Sequence, residues 1–214
     1  MIGPSQAAAM AGTVAFAATA VIAMAPRGID LFTAMVMGLM TAIGGGTVRD
    51  LILGQPVFWA KDLSYLWISL LASAITFWGY RLMFRRRVVA LLLYLDAVGI
   101  ALFAIQGAEK AWLQGFGLPL APILLGIITA IGGGLIRDVL AGRENLLMRR
   151  ELYAIPVSAG CMAYAVLIAT TSAAHQEWIA LLCMVFIFVF RAAAIHWKLE
   201  VPDWFRLSDT QSHR

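Results

Sequence analysis

The chain has 214 residues, of which 62% are hydrophobic and 13% are charged. Soluble domains carry charge at roughly a quarter of their positions, so this composition excludes an ordinary soluble domain and indicates a protein that spans a membrane. The net charge of +4 is compatible with nucleic-acid binding. However, the basic residues are confined to short segments between apolar runs, where they orient a membrane protein, and we therefore expect no nucleic-acid partner.

Seven apolar runs follow one another along the chain, and their lengths suit membrane-spanning helices. Strands of a membrane barrel would be about half as long and would alternate apolar with polar residues. We therefore predict an all-α polytopic membrane protein with seven transmembrane helices. The runs cover residues 7–25, 31–53, 63–84, 88–107, 118–141, 152–172 and 178–195. The first run also fits a cleaved signal peptide, but no basic residue precedes it, so we expect a retained helix.

The basic residues between the runs lie mainly on one side of the predicted membrane. Only Lys61 and Lys110 fall on the side of the N-terminus. The opposite side holds twelve basic residues: Arg27, Arg81, Arg85, Arg86, Arg87, Arg143, Arg149, Arg150, Arg191, Lys198, Arg206 and Arg214. Because cytoplasmic segments are enriched in lysine and arginine, we predict that the N-terminus is outside and the C-terminus is cytoplasmic.

One stretch of the sequence occurs twice. Residues 41–54 read TAIGGGTVRDLILG, and residues 129–142, 88 positions later, read TAIGGGLIRDVLAG. Upstream, GTVAFAATA at residues 12–20 resembles GIALFAIQG at residues 99–107. The first three helices therefore repeat as the next three.

The number of helices in each repeat determines its direction in the membrane. Three is odd, so the second copy must enter the bilayer from the opposite side. We therefore predict two inverted three-helix repeats and a seventh helix with a cytoplasmic tail, in residues 1–87, 88–173 and 174–214 respectively.

Each copy of the repeated stretch places a glycine triplet near the middle of a predicted helix. The triplets are Gly44, Gly45 and Gly46, and Gly132, Gly133 and Gly134. Each glycine gives up about 1 kcal/mol of helix preference relative to alanine, and a broken helix can present free carbonyls and amides to an ion. Alternatively, the glycines only permit close helix packing. Three consecutive glycines point around most of a turn, so one packing face cannot use them all, and we favour a kink at a pore. Thr41 and Thr129 either line that pore or bond back to a carbonyl one turn earlier.

Four ionisable residues follow the triplets within the predicted spans: Arg49 with Asp50, and Arg137 with Asp138. Adjacent residues of a helix do not face each other, so we expect no direct salt bridge within either pair. We expect freed helix carbonyls as partners of the arginines, and exposed amides or a neighbouring helix as partners of the aspartates. The pairs either gate the site or brace it. Asp96, one turn into the fourth helix, is expected near the cytoplasmic interface rather than in a pore.

The remaining chemical signals are weak. Cys161 and Cys183 fall in apolar runs and are expected to be buried free thiols. His175 and His196 lie at helix ends and suggest no metal site, and the basic run at residues 85–87 suggests contact with membrane lipids. The sequence has no phosphate-binding loop, zinc-protease motif, nucleophile elbow or catalytic pair of acids, so we expect no enzyme and no cofactor.

Two three-helix bundles that each carry GGGxxRD, followed by a seventh helix, resemble the bacterial branch of the TRIC (trimeric intracellular cation) channel family. Relatives with this motif carry the domain label glycine transporter. The resemblance covers roughly residues 8–196. It implies a homotrimer in the bacterial inner membrane with a water-filled pore in each protomer, kinked at both triplets, that passes monovalent cations, chiefly potassium and also sodium. Animal members have a lysine-containing motif after the glycines that binds inositol lipid, where this chain has TVRD at 47–50 and LIRD at 135–138.

Three functions remain in competition. A cation channel would select small ions by size and by carbonyl or hydroxyl ligands. A carrier of glycine or another small zwitterion would use helix-end amides for the carboxylate and carbonyls for the ammonium group. A membrane scaffold would use the glycines only for packing. The resemblance favours the channel.

Overall fold

The computed structural model describes residues 3–80, 85–148, 151–171 and 175–201. Over these ranges the protein is all-α, as predicted, apart from an isolated antiparallel bridge between Glu151 and Glu200. The α-helices of the described ranges are α1 (Pro4–Met24), α2 (Leu31–Ile52), α3 (Phe58–Lys61), α4 (Ser64–Tyr80), α5 (Arg85–Leu113), α6 (Leu120–Leu140), α7 (Ala154–Thr170) and α8 (Gln176–His196). Two short 3₁₀ helices, Ala25–Arg27 and Leu146–Met148, follow α1 and α6.

Most helix ends lie within a few residues of the predicted ones, and α5 is the main exception. It has 29 residues and continues to Leu113, beyond the predicted end at residue 107. Glu109 and Lys110, which we had placed in a loop, are good helix formers and extend it. The helix stops before Gly115, whose φ of +62° suits glycine.

The outer surface of the bundle is apolar. By length and composition, α1, α2, α5, α6 and α8 can each cross a bilayer, whereas α4 and α7 are shorter at 17 residues. Large apolar side chains such as Trp67 and Leu71 of α4, and Trp178 and Phe186 of α8, are exposed. Such extended apolar faces are incompatible with water, so the chain is a membrane protein.

Helices α1 and α5 form the centre of the bundle. α1 packs against α2, α4 and α5, and α5 packs in addition against α6, α7 and α8. The fully buried alanines Ala17, Ala20, Ala97 and Ala104 lie on these two helices. Because small side chains let helix backbones approach closely, this centre is dense.

Equivalent contacts occur 88 residues apart. A methyl group added at Gly38 of α2 would overlap the Ser73 hydroxyl of α4. One added at Gly126 of α6 would lie 2.7 Å from the Cys161 sulfur of α7. Cys161 and Cys183 are both buried and free, as expected. The packing of α2 on α4 is thus repeated by that of α6 on α7.

Some residues that carried the sequence predictions cannot be placed. Arg81, Arg149, Arg150, Arg206 and Arg214 lie outside the described residues, as do the side chains of Arg85, Arg86 and Arg87. At the start of α2, Asp30 caps the helix by accepting hydrogen bonds from the Thr33 amide and hydroxyl at 2.8 and 3.0 Å. These two bonds lower the pKa of the Asp30 carboxyl.

Candidate functional site

The two glycine triplets lie against each other where α2 crosses α6. A methyl group at Gly45 would overlap the carbonyl oxygen of Thr129, and one at Gly133 would overlap the carbonyl oxygen of Thr41. A Cβ at Gly132 would lie only 3.2 Å from the Cα of Gly45. The two helix backbones are therefore in direct contact, which only glycine permits at this separation.

The other glycines of the triplets have different neighbours. They pack as follows: Gly44 against Ile136, Gly46 against Phe58, and Gly134 against the Tyr153 hydroxyl. All three glycines of each triplet are therefore packed, but on different faces, because different elements surround each triplet. Both helices also stay α-helical through their triplets, so the expected break in the helix is absent. A bend at the glycines remains a prediction.

Thr41 and Thr129, which precede the triplets, are both buried, but their hydroxyls differ. Thr129 donates to the carbonyl oxygen of Leu125 at 2.5 Å, one turn earlier. The Thr41 hydroxyl has no hydrogen-bond partner among the residues that the structure describes. A buried, unpaired hydroxyl costs about 1–3 kcal/mol. Thr41 therefore contributes an unused polar group to the crossing.

Both triplet-bearing helices end in the same hydrogen-bonded turn. After α2, Gly54 has a φ of +63°, and its amide donates to the carbonyl of Leu51 at 3.1 Å. The amide of Gln55 donates to the carbonyl of Asp50 at 2.9 Å. This pair of bonds is a Schellman motif, and it recurs after α6, where Gly142 has a φ of +51°. The second half of the repeated stretch is therefore a helix-termination signal.

The two aspartates connect each helix end to the element that follows. Asp50 Oδ2 accepts a hydrogen bond from the Phe58 amide at 2.8 Å, at the start of α3. Asp138 Oδ2 accepts one from the Leu146 amide at 3.2 Å, at the start of the second 3₁₀ helix. The prediction of amide partners for the aspartates is confirmed.

Each aspartate also forms a salt bridge with the arginine that precedes it. The distance from Nε to Oδ1 is 2.8 Å both for Arg49 with Asp50 and for Arg137 with Asp138. The expectation of no direct bridge is wrong, because a long arginine side chain folds back along the helix and presents the edge of its guanidinium to its neighbour. The expected bonds from these arginines to helix carbonyls are also wrong, since their hydrogen bonds in the described structure go to side chains.

At the end of the bundle near the start of α1, a second cation joins the pair. Lys110 of α5 lies 2.6 Å from Asp50 Oδ1, and the Arg49 guanidinium lies 5.7 Å from the centre of the Phe58 ring. A cavity of about 290 Å³ adjoins Arg49 and Lys110. Its other lining residues include Ser5, Gln6, Gly46, Phe103, Gln106 and Glu109. We call this space the end cavity.

At the opposite end, a second carboxylate joins the pair. Arg137 Nη1 lies 2.6 Å from Asp96 Oδ1 and donates to the Thr19 hydroxyl at 3.1 Å. Asp96 and Arg137 are both fully buried. This carboxylate is the partner that a buried guanidinium requires, and the position of Asp96 near the cytoplasmic interface remains a prediction. We call Arg137, Asp138, Asp96 and Thr19 the buried cluster.

The two ends therefore differ in their excess charge. One carboxylate meets two cations beside the end cavity, whereas one guanidinium meets two carboxylates in the buried cluster. Removing one partner of a fully buried ion pair costs about 3–5 kcal/mol, so the Arg137–Asp96 pair holds α6 to the central helix α5. Lys110 is partly exposed, and its pair with Asp50 links α2 to α5 more weakly.

Sequence reasoning missed two members of these clusters. Lys110 had been assigned to an external loop, and Thr19 had not been considered. The helical extension of α5 brings Lys110 to Asp50, and an acid inside a span, such as Asp96, signalled a buried cationic partner. No local feature of α1 marks Thr19.

Comparisons with known proteins agree with this architecture. A family model described as glycine transporter matches residues 6–81 and 93–169. The UPF0126 inner membrane protein YadS of Escherichia coli strain K12 is 38% identical over 194 residues, which cover 90% of this chain and 92% of that protein. The TRIC trimeric intracellular cation channel orthologue from Rhodobacter sphaeroides superposes with a TM-score of 0.85 at 34% identity, covering 91% of this chain and 98% of the other. A prokaryotic TRIC channel crystallised in 0.5 M KCl has the same TM-score at 25% identity, with coverage of 94% and 100%.

Proposed function

The chain belongs to the glycine transporter family, the bacterial branch of the TRIC family, and from this premise we propose that it is a membrane channel for monovalent cations. The R. sphaeroides relative, described as a trimeric intracellular cation channel, supports this at 34% identity over 91% of the chain. Ionisable groups buried inside a membrane-spanning bundle are also typical of ion pathways. No enzymatic reaction is part of the proposal.

The proposed architecture has two inverted repeats, residues 1–87 and 88–173, and a last unit at 174–214. The spans are α1, α2 and α4 in the first repeat, α5, α6 and α7 in the second, and α8. The recurrence of helix-end turns, aspartate–amide bonds and glycine contacts at a spacing of 88 supports this arrangement. The N-terminus lies outside and the C-terminus is cytoplasmic, on the basis of the charge distribution.

The proposed pore of each protomer passes through the crossing of α2 and α6. The observation that carries this proposal is the position of the crossing between two ionic clusters. Gly46 lines the end cavity, whereas a Cβ added at Gly134 would lie 3.5 Å from Arg137 and Asp96 in the buried cluster. The pore residues are Gly44, Gly45, Gly46, Gly132, Gly133, Gly134, Thr41 and Thr129.

Backbone contact at the crossing corresponds to a closed pathway. The carbonyl oxygens of Thr41 and Thr129 each lie against a glycine of the opposite helix. When the helices separate there, these oxygens and the unpaired Thr41 hydroxyl become ligands for a partly dehydrated potassium or sodium ion. Glycine is required because a side chain would occupy the space that the ion needs.

Two arginine–aspartate pairs hold this pathway closed, and we call each pair a latch. They are Arg49 with Asp50, and Arg137 with Asp138. Each aspartate holds a helix end to the next element, and each arginine holds the aspartate. An opening motion of α2 or α6 must therefore strain or exchange these bonds, so the pairs control gating as well as bracing the closed state.

The assembly is a homotrimer in a bacterial inner membrane. The relatives support both parts, since one is described as trimeric and another as an inner membrane protein. The exposed apolar faces of α4 and α8 supply surface for membrane lipids and neighbouring protomers.

Reconstitution into planar bilayers tests this function. We expect unitary currents whose reversal potential in a KCl gradient approaches that of potassium, with sodium also permeant. Saturable counterflow of radiolabelled glycine without unitary current would contradict the channel and identify a carrier. Lipid vesicles without protein provide the baseline for both assays.

A further inference from the structure

Two phenylalanines meet at the centre of the bundle. The rings of Phe16 of α1 and Phe103 of α5 have centroids 5.2 Å apart and planes inclined by 35°. Their exposed fractions are 1% and 4%, so the pair is shielded from both ends. The mechanism proposed above gives these two rings no role.

The pair has the symmetry of the duplicated sequence. Phe16 and Phe103 occupy the same place in GTVAFAATA and GIALFAIQG. A Cβ at Gly12 would lie 3.0 Å from the Phe103 ring, and one at Gly99 would overlap the Phe16 ring. Each ring thus lies on the glycine that begins the other repeat's copy, and the two rings meet where the repeats meet.

The pair also separates the two polar regions of the protein. Phe103 lines the end cavity. On the other side, the Phe16 ring lies 2.9 Å from the position of a Cβ at Gly133, in the glycine crossing. The carbonyl of Phe16 accepts a hydrogen bond at 2.8 Å from the Thr19 hydroxyl, which in turn accepts one from Arg137. The rings therefore lie between the end cavity and the buried cluster.

We propose that Phe16 and Phe103 form a hydrophobic gate, which rests on the proposed channel function and locates its closure. A narrow apolar constriction excludes water and so blocks a hydrated ion, even without a fully occluding contact. Movement of α1 relative to α5 separates the two rings, hydrates the space between them and connects the end cavity to the buried cluster beside the glycine crossing. The latches then act on the helix ends and backbone contact closes the crossing, while the rings close the pathway beside the end cavity.

A core-packing role makes a different prediction from a gate. If the rings only pack the core, the effect of a substitution depends on the size of the new side chain. If they form a hydrophobic gate, the effect depends on its polarity. Leucine keeps the constriction apolar, and serine lets water enter. The informative comparison is therefore Phe103→Ser with Phe103→Leu, and Phe16→Ser with Phe16→Leu.

Single-channel recording of these four variants tests the gate. We expect each serine variant to raise the open-to-closed ratio about tenfold, which corresponds to about 1.4 kcal/mol, and each leucine variant to stay near wild type. Ile187→Ser in α8 is the matched control, because Ile187 is fully buried and packs on Gly160 of α7, and it is not among the residues that line the end cavity. We expect Ile187→Ser to destabilise the protein without opening the channel.

Three results would overturn the gate. The first is an open-to-closed ratio in Phe103→Ser that equals that of wild type. The second is the same change of this ratio in the serine and leucine variants. The third is an increase of the ratio in Ile187→Ser as large as that in the phenylalanine-to-serine variants. In these cases the wild-type currents would still support the channel, whereas absence of cation current in wild type would remove the channel and its gate together. If Phe16→Ser fails to fold, Phe103→Ser decides the test, because the side chain of Phe103 adjoins the end cavity.

Discussion

At the scale of single residues, the crossing depends on the absence of a side chain at Gly45. A methyl group there would overlap the Thr129 carbonyl, which is backbone and cannot turn away. Overpacking of this kind typically costs about 1–3 kcal/mol. We therefore expect Gly45→Ala to lower the free energy of unfolding by about that amount, measured by denaturation in detergent micelles.

Gly79→Ala is the matched control for this substitution. Gly79 also lies in a helix, α4, but nothing lies within 4 Å of a Cβ at that position. We expect its stability to stay the same or to rise by up to about 1 kcal/mol, the helix preference of alanine over glycine. Equal stability of the two variants would show that α2 and α6 do not approach as closely as described.

The two ionic clusters should respond unequally to the loss of one partner. Asp96→Asn leaves Arg137, which is fully buried, with only part of its compensating charge, and should cost about 3–5 kcal/mol. Lys110→Met leaves Asp50 paired with Arg49, and the Lys110 side chain is 29% exposed, so the cost should be below about 1 kcal/mol. The same unfolding assay measures both, and a larger loss in Lys110→Met would contradict this assignment.

Sequence reasoning predicted the hydrogen-bond partners of the two aspartates, which are backbone amides. The amide partners of Asp50 and Asp138 were expected, and they are the free donors that the first turn of a helix leaves, at the start of α3 and of the second 3₁₀ helix. The salt bridges to the preceding arginines were not expected, because they depend on how the flexible arginine side chain folds back along its helix. The meeting of Phe16 with Phe103 depends on the packing of α1 on α5, which local sequence does not encode.

At the scale of elements, the turns that end α2 and α6 should require a left-handed residue. Gly54 has a φ of +63° and nothing within 4 Å of a Cβ, so a substitution there tests backbone conformation alone. Gly54→Ala should cost about 1–2 kcal/mol, and Gly54→Asn less, since asparagine adopts this conformation more readily. Thermal unfolding of the two variants measures the difference, and an alanine variant more stable than the asparagine one would contradict the turn.

Hydropathy predicted the long helices and missed the short ones. Helices α2 and α6 begin and end within two residues of their predicted runs, because a span length of apolar residues followed by a glycine is a strong signal. Helix α3 has four residues, too few for any periodic pattern, and its position depends on the bond from Phe58 to Asp50. Helix α5 continues past its apolar run because Lys110 finds a carboxylate partner.

At the scale of the whole molecule, the orientation can be tested with single cysteines. Gln55 and Glu144 are exposed and lie after equivalent helices at opposite ends of the bundle. In intact cells, a membrane-impermeant maleimide should label Gln55→Cys and should label Glu144→Cys only after disruption of the membrane. The native cysteines are buried, so the unmodified chain is the control. The reverse pattern of labelling would invert the proposed topology.

The long apolar runs made the all-helical membrane fold predictable, because they are long enough for membrane-spanning helices and do not alternate as barrel strands do. The tight crossing was not predictable in the same way. Sequence placed Gly45 and Gly133 in separate helices, and only the packing of α2 on α6 decides whether such glycines open a gap or remove one.

The central claim, that the crossing is the centre of a cation pore, is tested most directly by unitary potassium currents of Gly45→Leu and Gly133→Leu in planar bilayers. Gly79→Leu, at a position with no neighbour within 4 Å, is the control. We predict that both crossing variants change unitary conductance or open probability by about tenfold or more, or abolish the current, while Gly79→Leu conducts like wild type. Wild-type potassium currents in Gly45→Leu and Gly133→Leu would contradict the claim.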